Sequence, residues 1–348
     1  MNLRCFLTVG TVTLGLAATA VHARDHADGD PEPQDRRYCS ATARLLYTAC
    51  GFEAQDDDFV AKAKCINLAD ASERTQCLSE AREARAEAGQ ACRAQLDWRR
   101  AACSVLGEGR YDPAFEPQHF DSNFHQLNNP NPYFPLGIGY RWEYRGGSEL
   151  NIVEVADETK LIEGVTCVVL RDLVYQEGRL VEATDDWFAA ALDGSTWYCG
   201  EEAKDYESFA GDHPQRPELV SIDGSFKHGR EGDKAGLIMP AQPRVGQAYL
   251  EEFSLGNAED VSVVLSTSYA YGVDPGLDQL VPRDVALRMC NRDCVVTRNY
   301  SLLEPDIFAL KYYARGIGFF LETQPVEGTT LQLVGCNFDQ RCVALPAP

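Results

Sequence analysis

The 348-residue chain carries 53 Asp and Glu against 32 Lys and Arg, a formal net charge of −21. Binding to phosphate backbones or anionic headgroups needs clustered Lys and Arg. Nucleic acid and anionic lipid are therefore excluded as expected partners, which leaves an unknown protein or a small ligand.

Residues 1–23 read as a signal peptide: one positive charge, an uncharged apolar run, and small residues at Ala18, Ala20 and Ala23. Cys5 lies too early for a lipoprotein signal. No later stretch reaches the roughly 20 apolar residues of a spanning helix, so no integral membrane segment is expected after cleavage. Residues 24–37, acidic and Pro-containing, form a disordered lead-in. Thirteen cysteines, less Cys5, leave an even number behind that signal, the arithmetic of a disulfide framework in a periplasmic or secreted protein.

Residues 38–107 form a Cys-rich helical module that lacks Pro and is rich in Ala, Arg, Glu and Gln. Cys39, Cys50, Cys65, Cys77, Cys92 and Cys103 are separated by 11, 15, 12, 15 and 11 residues, a mirror pattern about residue 71. Antiparallel elements bring residues equidistant from a turn side by side, so the pattern predicts disulfides 39–103, 50–92 and 65–77. Other pairings among the six stay open. Eleven residues make about three helical turns, which keeps the cysteines on one face. A first helix is expected from Ser40 to Cys50, stopped by Gly51. A second runs from the Asp56–Asp58 acidic cap to about Leu68. The third begins at Asp70 or Ser72 and ends at Gly107.

Residues 108–136 form a connector rich in Pro and aromatics, expected to be ordered but irregular. From 137 to 348 the texture is that of an antiparallel β-domain. Strands are expected at 140–144, 150–155, 165–175, 180–191 and 196–199, then at 249–253, 261–269 and 294–302, and last at 308–313, 318–322 and 331–334. Glu177-Gly178 and Asp193-Gly194 read as two-residue hairpin turns. The first sets Tyr175 opposite Leu180 and Val174 opposite Val181. The second sets Ala190 opposite Trp197 and Phe188 opposite Cys199. Extended, the two registers place Cys167 and Cys199 on either side of one strand, about 9.5 Å apart. That is too far for a disulfide unless a bulge intervenes. Cys336–Cys342 can close a local loop; the partners of Cys290 and Cys294 stay open.

No nucleophile elbow, phosphate loop, dinucleotide fingerprint or zinc-protease helix is present. No catalytic residue and no cofactor are implied. His119, Asp121 and His125 form the best metal-like cluster, set against polar loop packing as the default reading. Trp142, Trp187, Trp197 and Tyr198 lie on expected strands and are candidate ligand-binding aromatics, set against a simple core role. The acidic pairs Asp185-Asp186, Glu201-Glu202 and Glu251-Glu252 are not dyads in themselves, because neighbours on a strand point to opposite faces.

The stretches Asn131-Pro-Tyr-Phe-Pro-Leu-Gly, Asp186-Trp-Phe, Asp193-Gly-Ser-Thr-Trp-Tyr-Cys-Gly-Glu, Gly236-Leu-Ile-Met-Pro-Ala-Gln-Pro-Arg-Val-Gly and Tyr312-Tyr-Ala-Arg-Gly-Ile-Gly resemble an uncharacterised group of secreted bacterial β-domain proteins, over residues 131–323. That resemblance implies a secreted β-domain and carries no activity. Gln95-Leu-Asp-Trp98-Arg-Arg100-Ala-Ala-Cys103 is similar to the end of the LprI-type lysozyme-inhibitor domain. It implies a small secreted helical module, although that family's Asp-x-x-Leu-Asn segment is not evident.

The expected fold is therefore α+β: a disulfide-stapled helical hairpin followed by an antiparallel meander or open barrel. The expected function is that of an exported, non-enzymatic binding protein whose β-domain holds an apolar or sugar ligand. The alternatives are lysozyme inhibition through the helical module, a carboxylate-dependent hydrolase, and metal binding.

Overall fold

The computed structural model describes residues 37–348. The expected signal peptide, and the lead-in up to residue 36, lie outside the described residues.

Two antiparallel helices come first, α1 (Tyr38–Ile66) and α2 (Ala71–Leu106). Cys39–Cys103, Cys50–Cys92 and Cys65–Cys77 join them as three rungs, with Cα–Cα distances of 5.7, 5.8 and 5.5 Å. The buried residues of the two helices are mostly small groups, Ala43, Ala54 and Ala81 with the cystines of Cys65, Cys92 and Cys103, while buried Arg99 and Ala102 face the β-domain. Large apolar side chains on α1 stay outside, with Phe52 68% and Ile66 67% exposed. Close approach of two helices without bulky core residues leaves the cystines as the main fastening.

The expected stop at Gly51 does not occur; α1 runs straight through it. A glycine inside a helix costs only about 1 kcal/mol. Rungs on both sides of Gly51 hold the two halves of α1 against α2, and Arg85 donates to the Gly51 carbonyl at 3.3 Å. At the turn, the Asp70 side chain caps α2 by accepting from the backbone N–H groups of Ser72 and Glu73. At the open end, Glu108 accepts from both the backbone N–H and the hydroxyl of Ser40.

The β-domain is a single antiparallel sheet. Its first strands are β1 (Arg141–Gly146), β2 (Glu149–Ile162), β3 (Val165–Gln176), β4 (Arg179–Ala190) and β5 (Thr196–Glu202). Short strands follow: β6 (Asp205–Glu207), β7 (Glu218–Ser221), β8 (Phe226–Lys227), β9 (Lys234–Met239), β10 (Ala248–Leu250) and β11 (Glu252–Phe253). After β12 (Asp260–Tyr269) comes a short helix, α3 (Arg283–Met289), then β13 (Cys294–Ser301), β14 (Ala309–Ala314), β15 (Gly318–Gln324) and β16 (Thr329–Cys336). The strands β6 to β9 and α3 had no counterpart in the sequence reading. They are short, and neither period 2 nor period 3.6 has room to establish itself in them.

The hydrogen-bonded path runs β10-β12-β13-β14-β15-β16-β1-β2-β3-β4-β5-β9-β11. Its two ends, β10 and β11, are consecutive in the chain and separated by Glu251 alone. The sheet thus curls into a nearly closed barrel whose two ends meet at one residue. Gly236 makes this meeting feasible: a Cβ there would lie 1.8 Å from the Glu251 carbonyl oxygen.

Bulges correct the sequence-derived register. Tyr175 does face Leu180, but an irregularity between Val174 and Tyr175 sets Val174 opposite Glu182 rather than Val181. Ala190 faces Thr196 and Phe188 faces Tyr198, one residue off the expected pairs, because the Asp193-Gly194 loop is longer than two residues. A second bulge, between Trp187 and Phe188, leaves Cys199 as the extra residue of β5. Together the two shifts bring Cys167 and Cys199 within bonding reach over Ala189. The disulfide judged too long forms, with a Cα–Cα distance of 6.7 Å. Cys290–Cys294 and Cys336–Cys342 are also bonded. So many disulfides fit an oxidising compartment, and no described helix is long and apolar enough to cross a membrane.

The connector serves both faces of the sheet. Phe115 and Phe120 cover the outer face around Trp187, Cys167 and Cys199. Phe124, Phe134 and Leu136 join the main core with Trp142, Phe188 and Tyr312. The C-terminal part of α2 lies on the sheet where its two ends meet. Ala102 packs with Leu250, Val261 and Leu302, the Trp98 and Tyr300 rings meet edge-on at 5.2 Å, and Gln95 donates to the Leu303 carbonyl. Arg99, only 4% exposed, makes a two-pronged ion pair with Glu259 at 3.0 and 2.8 Å.

Candidate functional site: an aromatic and carboxyl cavity inside the barrel

Side chains from opposite sides of the sheet converge on one cavity of about 330 Å³. Because β1 to β5, β9, β11, β12 and β14 to β16 all contribute, the cavity lies on the inner face of the barrel. One set of walls is aromatic. Phe134, Phe188 and Tyr198 form a stack, the last two 4.7 Å apart and nearly parallel. Tyr144, Phe319 and Tyr313 form a second group, and Trp142 completes the lining, its indole N–H held by the Ile317 carbonyl at 2.8 Å.

The other walls are polar, and alternation along the strands explains them. On β3, Leu170 and Asp172 point inward; on β4, Asp186 and Phe188 do. Asn151 on β2 donates to Asp172 at 2.7 Å. Glu251, Glu252, Asp260 and Glu322 face the same space, with the single cation Lys311. Glu251 accepts from Ser262 at 2.6 Å and from Asn299 at 2.9 Å. Glu252 lies within electrostatic reach of Asp260, Glu201, Glu251 and Lys311.

Behind this wall lies a carboxyl–tyrosine–carboxyl bridge. Asp186 and Glu201 are cross-strand partners on β4 and β5. The Tyr198 hydroxyl contacts Asp186 and lies 2.9 Å from Glu201. One hydroxyl carries one proton, so the second contact is made with a proton held by a carboxyl group. The expectation that adjacent acids point to opposite faces holds for Asp185-Asp186 and Glu201-Glu202, but Glu251 and Glu252 both line the cavity because Glu251 lies between β10 and β11. One acid from each of two sequence pairs nonetheless meets across the strands, a consequence of register that the hairpin about Asp193-Gly194 already contained.

The electrostatics follow from enclosure. Burial, then repulsion from Glu182, pushes Asp186 up to about 7, against the opposing bond from Tyr198. Burial followed by the neighbouring Asp186 raises Glu201 well above the usual carboxylate range. Asp172 is raised by burial and by Asp186, and Glu252 by burial and by Asp260. Lys311 runs the other way: burial disfavours its charge, but Glu251, Glu322, Asp260 and Glu252 outweigh that and hold it protonated.

The sequence-derived candidates separate by face. Trp142 and Tyr198 line the cavity. Trp187 lies on the outer face beneath Phe120, with the Lys160 ammonium 3.3 Å from its ring centre. Trp197 also points outward, where it lines a groove of about 590 Å³ between the hairpin and the barrel. That groove is larger, and its charged residues include two pairs already satisfied, Arg99 with Glu259 and Lys234 with Asp112.

The metal-like cluster does not converge. His119 pairs with Glu116 and His125 with Asp157, both at 3.1 Å. Asp121 instead organises its loop by accepting from the backbone and side chain of Asn128 and from the backbone N–H of Asn123. Burial works against that carboxylate, yet these bonds hold it below its ordinary range. Among the described residues no group of three His, Cys, Asp or Glu side chains is placed to hold a metal ion.

The chain matches no protein-family model, and no similarity to a curated protein or to a solved structure was found. The fold and the cavity therefore carry the functional argument alone. Together they define an α+β protein in which a disulfide-laddered hairpin lies on a nearly closed antiparallel barrel with an aromatic and acidic interior.

Proposed function

We propose that this is an exported binding protein, periplasmic or secreted, whose barrel cavity holds a small organic ligand. The observation that carries this reading is the cavity of about 330 Å³, a volume within the range of small-molecule sites. Rings supply apolar contact, and a few convergent polar groups supply orientation. A barrel that served only as a scaffold would fill such a space with side chains.

Native mass spectrometry of the full chain, as purified and after incubation with a metabolite pool, tests the reading. An adduct of a few hundred daltons is expected, and Leu331→Trp, which fills the cavity from its wall, removes it while circular dichroism stays unchanged. Absence of any adduct, or an adduct insensitive to Leu331→Trp, overturns the reading.

One observation favours a second reading, a carboxylate-dependent hydrolase. Asp186, pushed up to about 7, has the pKa of a general acid at neutral pH. In the same experiment, turnover of the adduct to smaller masses, abolished by Asp186→Asn, would favour catalysis over simple binding.

A further inference from the structure

Resting on that binding reading, we propose that the ligand is an organic cation: an amine or quaternary ammonium on a compact apolar body, with its charge among the carboxyl groups and its carbon skeleton against the rings. The make-up of the polar wall is the first support. Among the described residues, Asp172, Asp186, Glu251, Glu252, Asp260 and Glu322 face the cavity, and Lys311 is the only cation that does. Glu251 is already held by Ser262 and Asn299, and Asp172 by Asn151. Glu252 faces the space as well, within electrostatic reach of Asp260, Glu201, Glu251 and Lys311.

The walls are the second and independent support. The faces of aromatic rings attract cations, most strongly where water is excluded. Two ring groups, Phe188 with Tyr198 and Tyr144 with Phe319, line the same cavity as the carboxyl groups. A neutral sugar would also stack on rings and hydrogen-bond to carboxyl groups, but only a cation favours the ionised form of acids that burial holds raised. A ligand anion would oppose that ionisation.

A consequence is linkage to protons. Asp186 is flanked by Glu182 and Asp185 on its own strand, by Tyr198 and Glu201 on β5, and by Asp172 on β3. Burial among these groups keeps it partly protonated at neutral pH. A bound cation favours the ionised carboxylate, so binding expels a proton. Affinity then falls by about tenfold per pH unit below 7 and levels off above it.

Choline and 3,3-dimethyl-1-butanol differ by the exchange of a quaternary nitrogen for carbon, and they isolate the charge. In calorimetric titrations of the full chain at pH 8, choline is expected to bind at least about tenfold more tightly than the alcohol, with release of a proton visible as a buffer-dependent heat. At pH 5.5 its affinity should fall by more than about tenfold. Glu252→Gln and Asp186→Asn should each weaken choline and leave the alcohol unaffected. Equal or tighter binding of the alcohol, or choline binding indifferent to pH and to both variants, overturns the inference. If a neutral ligand is found by mass spectrometry while choline is silent, the cation inference falls and the binding reading stands. Silence of both probes without any adduct removes both.

Discussion

The two regions of this molecule solve the problem of stability by opposite means. The hairpin packs alanines against cystines and leaves Phe52, Phe59 and Ile66 in solvent. The barrel buries Tyr312, Phe320, Leu321 and Leu333 completely and tolerates a group of acids in its interior. Covalent rungs constrain the unfolded chain and need no particular side chains between them, whereas a packed core stabilises through area removed from water. A region fastened by cross-links can present an arbitrary surface. A region fastened by packing can keep a cavity only if the surrounding core is large enough to offset the buried charge.

The junction between them is the sharpest place to test that contrast. Arg99→Ala leaves Glu259 buried, with only the Gly256 N–H as an additional partner, and should cost about 3–5 kcal/mol. Urea titration followed by tryptophan emission is expected to show the barrel transition moving to lower denaturant. An unchanged midpoint would break the claim that the hairpin and the barrel are coupled through this pair. The next effect is confined to the hairpin. Replacing Cys50 and Cys92 together by alanine opens a cross-link spanning 42 residues and should remove about 2–4 kcal/mol. Hydrogen exchange should speed up through the middle of α1 and α2 and stay unchanged in β1 to β5; faster exchange in the strands would erase the distinction drawn above. The smallest effect is expected at the turn. Asp70→Ala removes the cap of α2 for about 1 kcal/mol, while Cys65–Cys77 still holds the turn closed. A melting shift larger than that of the cysteine pair would mean that capping, rather than cross-linking, fastens the hairpin.

Much of this architecture was legible in the sequence, for stated reasons. Mirror spacing identifies rungs because geometry alone relates equidistant residues, and strand segments declare themselves by β-branched and aromatic content. Gly51 misled because a local stop signal is worth about 1 kcal/mol and cross-links on both sides outweigh it. The Cys167–Cys199 bond was obscured by two bulges, and a bulge leaves no reliable trace in a side-chain pattern. The carboxyl cavity was the hardest to foresee. Its acids lie on strands far apart in sequence, and only the closure at Glu251 brings Glu252 and Asp260 round to face Asp172 and Asp186. Trp187 and Trp197 looked as eligible as Trp142, since composition does not say which face of a curled sheet is the inner one.

The way the sheet closes has one more consequence. An unpaired strand border is a template on which a second chain can add by backbone hydrogen bonds. Here the two ends of the main strand path, β10 with three residues and β11 with two, lie together at one place, and the Ala102 surface of α2 covers it. The hairpin therefore leaves little backbone at that seam on which another chain could add a strand.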